Sequence, residues 1–67
     1  MEANKNISEV KAIRLRQVVD QTKIGKSKIY QMIKDGEFPA PFKAGASSLW
    51  LQSEVNAWIL KKASVRG

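Results

Sequence analysis

The sequence predicts one small domain, mainly α-helical with a small β wing. Three observations predict it: a length of 67 residues, two short amphipathic stretches separated by a brief break, and a proline-rich interval leading through a glycine to a last apolar stripe at helical spacing. A chain this short hides only about 60% of its unfolded surface on folding, which leaves no room for a second core. No internal repeat or low-complexity run divides it.

The elements follow in order. Residues 1–11 are polar, with Ile7 and Val10 as their sizeable apolar side chains, and read as a mobile arm. Ile13 and Leu15 then alternate with Arg14 and Arg16, which suits a brief extended segment ahead of a helix. Residues 17–22 suffice for two turns that direct Val18 inward, and Lys23, Ile24 and Gly25 interrupt them. A second helix is predicted over 26–34, with Gly25 as N-cap and Gly36 where a left-handed residue closes a helix. At 100° per residue, Ile29, Met32 and Ile33 share one face, Ser27, Gln31 and Lys34 lie opposite, and Tyr30 and Lys26 stand at the edge.

Pro39 and Pro41 forbid helix and impose an extended path, along which Phe38 and Phe42 are expected to cover the core edge. Gly45, among small and polar residues and followed by Leu49, Trp50 and Leu51, predicts a hairpin and hence a wing over 42–51. Ser53 is the expected N-cap of the last helix, with Glu54 in its first turn, a core stripe of Val55, Trp58 and Ile59, and Lys61 and Lys62 at its end. Residues 12–63 thus form the domain and 64–67 a frayed tail.

Composition narrows the function. Twelve basic residues against six acidic ones leave a net charge of +6, which points toward a polyanionic partner. The chain has no Cys and no His, so a thiol nucleophile, a disulfide framework, a Cys/His zinc site and an imidazole base are excluded together. The carboxylates of Asp20, Asp35, Glu37 and Glu54 are not arranged as an acid–base pair, so no enzyme, catalytic residue, metal or cofactor is expected. The longest apolar run, Ala57 to Leu60, is far short of the roughly 20 residues that cross a bilayer, and residues 1–6 have no apolar signal region behind them. The expected compartment is the cytoplasm, with attachment to the nucleoid through DNA.

Two short helices joined by a tight break, then a hairpin and a third helix, is the element order of a winged helix-turn-helix. Helix 26–34 offers Lys26, Ser27, Lys28, Tyr30, Gln31 and Lys34, with no acid until Asp35. In a major groove, Gln pairs with adenine and Lys with guanine or phosphate. Taken alone this is also the composition of an ordinary solvated helix face. The Tyr30 ring can lie on the core edge while its hydroxyl reaches a phosphate; Trp50 and Trp58 read as core groups that fasten the wing, not as base-stacking platforms.

Several spaced pieces together resemble the AlpA-type prophage regulatory proteins, which are close in pattern to MerR-like phage excisionases. They are Leu15 to Val18, Thr22 to Tyr30, Ile33 to Pro41 and Trp50 to Ile59, most specifically Ser27 with Ile29-Tyr30, Gly36-Glu37-Phe38-Pro39, and Trp50 with Ser53-Glu54-Val55 and Trp58. The resemblance covers nearly the whole chain. It implies a MerR-like winged helix-turn-helix, a DNA-binding protein of a phage, prophage or integrated element acting on integrase transcription or on excision. Two departures stand out: the family usually has Gly where Lys23 stands and Ser or Thr where Gly25 stands, so the flexible residue is moved along the turn. Its wing also commonly carries an Arg between glycine and tryptophan, where this chain has Ala46, Ser47, Ser48 and Leu49, leaving Lys43 as the basic residue of the wing.

The expected DNA-binding set is therefore Arg14, Arg16, Lys26, Ser27, Lys28, Tyr30, Gln31, Lys34, Lys43, Ser47 and Ser48, acting on double-stranded DNA. The chain is expected to be a monomer that can assemble side by side on repeated sites, since no long dimerising helix follows Lys62. The alternative is a small adaptor that contacts a recombinase or RNA polymerase, with DNA binding secondary. An RNA or membrane-surface binder lacks the aromatic platform or wide apolar face those partners need.

Overall fold

Arg14 is extended, with φ −93° and ψ 169°, and its backbone N–H donates to Gln17 Oε1 at 3.0 Å. That bond places Gln17 in the first turn of a helix already under way, so the first helix starts two residues ahead of its expected position. The computed structural model describes residues 10–66 and is built as β1 (Ala12–Ile13), α1 (Leu15–Thr22), α2 (Lys26–Lys34), β2 (Phe42–Ala44), β3 (Ser47–Leu51) and α3 (Gln52–Ser64). Most of the arm expected over residues 1–11 lies outside the described residues. The strands form one antiparallel sheet in the order β1-β3-β2, with Ile13 opposite Trp50 and Phe42 opposite Leu49. This is a winged helix-turn-helix, as the element order predicts.

The two helices of the helix-turn-helix end by different devices. α1 closes on Lys23, which takes the left-handed conformation at φ 62° and donates its N–H to Val19 O at 2.7 Å. Thr22 braces the turn through Oγ1, which donates to Val18 O at 2.8 Å and accepts from Ile24 N at 3.2 Å. Gly25, at φ −67°, is ordinary extended backbone. The expectation that the flexible residue is moved along the turn is thus corrected: the left-handed position stays at 23 and a lysine occupies it. α2 spans its expected residues and closes as a Schellman motif on Gly36 (φ 77°), with Gly36 N donating to Ile33 O and Glu37 N to Met32 O.

The core comprises Ile13, Val18, Ile29, Met32, Phe38, Trp50 and Val55, with Leu15, Ile24, Ile33, Trp58 and Ile59 packed around it. Trp50 is fully buried and donates Nε1–H to Pro39 O at 2.8 Å. Trp58 lies half-buried, donates Nε1–H to Glu37 O at 2.7 Å and meets Phe38 edge-on at 4.9 Å between ring centroids. Both indoles therefore hold Glu37 to Pro39, in the middle of the segment that links α2 to the wing. Across the molecule, Gln21 and Gln52 exchange amide hydrogen bonds of 2.9 and 2.6 Å that join α1 to the start of α3.

Two further expectations fail. Phe42 is exposed, as are the other two residues of β2, the outer strand of the wing. Ser53 is not the N-cap of α3; Leu51 is, with no side-chain bond. The β1–β3 ladder is prolonged by Gln52 N donating to Lys11 O at 2.8 Å, so β3 passes straight into α3 and Ser53 falls inside the helix. Lys11, assigned to the arm, is by the same bond part of the ordered domain.

The stabilities of three variants check this account. Trp50→Ala should remove roughly 3–5 kcal/mol in chemical denaturation, whereas Trp58→Phe, which keeps a ring against Phe38 and loses one hydrogen bond beside water, should remove about 0.5–1.5 kcal/mol. Lys23→Gly should raise stability by roughly 0.5–1 kcal/mol, because a left-handed non-glycine residue is strained by more than glycine loses in chain entropy. The exposed Lys23–Asp20 contact at 3.5 Å, which that change removes, contributes little.

Candidate nucleic-acid interface

α2 carries the largest part of the expected set. Ile29 and Met32 are buried and Ile33 is half-buried, which pins one face of the helix to the core. The opposite face then has to look outward, and Lys26, Ser27, Lys28, Tyr30, Gln31 and Lys34 are all exposed. Tyr30 stands at the border with 45% of its surface exposed. No acid interrupts this face before Asp35, which is the C-cap residue.

Asp35 is tied to the face by its side chain. Both carboxylate oxygens lie 3.3 Å from Gln31 Nε2, one turn back along the helix. Such a pair supports a helix by about 0.2–0.5 kcal/mol. A carboxylate at the negative end of the helix dipole opposes it by about 0.3–1 kcal/mol. The two effects cancel or leave a small deficit, so helix stability gives no reason for an acid here.

The fold also brings together residues far apart in sequence. The start of α1 and the tip of the wing face one another across an open cleft of about 730 Å³, lined by Arg14, Leu15, Arg16, Gln17, Ala46, Ser47 and Ser48. Two arginines and two serines, residue types whose donors suit anionic oxygens, thus border one cleft from separate elements. Leu15 and Gln17 belong to this wall and were absent from the expected set. Their place depends on the hairpin folding back over α1, for which local sequence carries no signal.

The wing itself is short. Gly45 takes φ 64° at the first central position of a two-residue turn and Ala46 stays at negative φ, the pattern of a type II′ hairpin. Lys43 pairs across the strands with Ser48 and Ala44 with Ser47, so Lys43 and Ser48 share one face and the Ser47 side chain takes the other. Among the described residues no cluster of His, Cys, Asp and Glu could hold a metal ion, and no helix is long and apolar enough to cross a membrane.

Fold and face together define a small winged helix-turn-helix protein with a polar, basic outer surface on its second helix. The chain belongs to the family of the prophage CP4-57 regulatory protein, AlpA, whose model matches residues 11–63. An uncharacterized protein, ORF88 of Enterobacteria phage P4, is 32% identical over 62 residues, spanning 91% of this chain and 70% of that protein. No solved structure matches the chain at a significant level. This is a phage-associated regulator.

Proposed function

We propose that the protein is a sequence-specific DNA-binding regulator of a phage, prophage or integrated element, controlling integrase transcription or excision. The observation that carries this reading is the outer face of α2, where six polar or basic side chains stand exposed without an intervening acid while the other face is locked into the core. Placed in a major groove, Gln31 and Ser27 meet base edges, and Lys26, Lys28 and Lys34 meet guanine or phosphate oxygens. Arg14, Arg16, Ser47 and Ser48 border the cleft beside the wing and are suited to the phosphate backbone, with Lys43 on the wing and the Tyr30 hydroxyl adding contacts. The partner is double-stranded DNA, bound by a monomer or by copies side by side on repeated sites.

A second reading rests on Leu60 and Val65, which are 69% and 73% exposed at the far end of α3. They give a protein partner, such as a recombinase or RNA polymerase, an apolar contact outside the α2 face.

Titration of duplex DNA separates the two readings. If about four cations neutralise phosphates, log K should fall against log salt with a slope near −3.6. A flat slope together with retained capture of a protein partner would favour the adaptor. Gln31→Ala should weaken the preferred site by roughly 1–3 kcal/mol and relax its specificity, and unchanged footprints for both Gln31→Ala and Lys34→Ala would reject α2 as the reading helix. Ser47→Arg, restoring a basic wing, should steepen the slope by about 0.9 and tighten specific and random duplexes alike, because backbone contacts carry no sequence information. A gain confined to one sequence would mean that the wing reads bases.

A further inference from the structure

Asp35 is an acid placed against the outer face of a basic helix, and its side chain contacts the residue best suited to read a base. Gln31 Nε2 lies 3.3 Å from each of its carboxylate oxygens. A carboxylate only accepts hydrogen bonds, so the amide must turn its NH₂ toward Asp35 and carry Oε1 on the other side. An unrestrained glutamine amide has a broad, roughly two-fold terminal torsion and presents donor or acceptor with little preference. The contact biases that choice. Among the described residues the ion pair is that of Lys23 with Asp20, so no lysine competes for the Asp35 carboxylate.

We infer that Asp35 is a specificity-determining residue which fixes the Gln31 amide and biases the base that Gln31 meets toward adenine and against guanine. This rests on the reading of α2 as the base-reading helix. With one N–H held by Asp35, the amide has one N–H and Oε1 left. Adenine presents an acceptor, N7, beside a donor, the N6 amino group, and so complements one donor and one acceptor. Guanine presents two acceptors, N7 and O6, and would need the donor that Asp35 holds. Its O6 would also face Oε1 and a negative carboxylate. Discrimination thus comes as much from an unfavourable contact with the wrong base as from a favourable one with the right base. The same negative charge repels phosphates and weakens binding to every duplex, but that part is uniform and carries no base preference.

The test uses the full chain in three forms, the parent, Gln31→Ala and Asp35→Asn. Selection from a randomised duplex pool gives the parent's site, and the base pair whose preference Gln31→Ala abolishes is then varied through all four bases. The parent should favour adenine over guanine there by roughly 5- to 150-fold. Asp35→Asn, whose amide can turn either way, should bring that ratio to within about threefold of unity while binding random duplex more tightly, since the phosphate repulsion is gone. Asp35 is exposed, so the variant should melt as the parent does. An unchanged adenine-to-guanine ratio in Asp35→Asn, with the preference lost in Gln31→Ala, would overturn the role of Asp35 and leave the DNA reading standing. A parent that favours guanine at that position, or a Gln31→Ala variant with unaltered preferences, would equally overturn the inference. A parent that binds no duplex would overturn it and the DNA reading together.

Discussion

Two indole N–H groups grip one short stretch of backbone, and the path from α2 into the wing and the last helix depends on that grip. Trp50, on the central strand, donates to Pro39 O, and Trp58, on the last helix, donates to Glu37 O. Phe38 lies between those carbonyls and drives its ring into the core against Trp58. The segment has no regular structure to satisfy its own carbonyls, and a buried carbonyl without a partner costs about 1–3 kcal/mol. Trp50 removes that cost at the part-buried Pro39 carbonyl, while Trp58 adds a bond beside water at Glu37, and the two together fix the chain between α2 and the wing. Gly36 makes the arrangement possible by turning the chain through a left-handed residue immediately before it.

Much of this was legible in the sequence because it is local. α2 appeared at its observed limits because a glycine punctuates each end and its apolar residues repeat at helical spacing. The hairpin was legible from Gly45 between short β-prone runs, the core roles of Val18 and Val55 followed from their place in helical patterns, and that of Trp50 from its size beside the last helix. What failed was non-local. Ser53 has the chemistry of a cap, but pairing of β3 with β1 carries the chain into α3 before Ser53 is reached. Phe42 has the chemistry of a core residue, but no helix covers the edge strand that bears it. The cleft between residues 14–17 and 46–48 joins segments about thirty residues apart, beyond any local pattern. Asp35 and Gln31 stand at a spacing anyone could count, yet the consequence of that spacing depends on which side of α2 the core occupies.

Lys23 shows how such a fold tolerates an unfavourable residue. Its left-handed conformation is strained for a side chain with a Cβ, and it persists because its neighbours over-determine it: its own N–H bonds to Val19 O, while the Thr22 hydroxyl ties Val18 O to Ile24 N. That turn sets the direction in which α2 leaves α1. The outer face of α2 is therefore oriented through a residue held left-handed.

The net charge of +6 overstates what that interface has available. Lys61 and Lys62 sit in the last turn of α3, where cations favour the negative end of the helix dipole, and Lys62 Nζ also lies 5.8 Å from the Trp58 ring centroid. Lys23 is occupied with Asp20. The basic side chains left for the α2 face, the cleft and the wing are Arg14, Arg16, Lys26, Lys28, Lys34 and Lys43, drawn from three separate elements or their ends. Dispersed in this way, no pair of them makes a strong fixed anion site, and their joint effect is a broad attraction toward a polyanion that salt screens. Discrimination between sequences then has to come from the few neutral groups whose orientation is fixed by neighbours, and on α2 the amide of Gln31, held by Asp35, is the group so fixed.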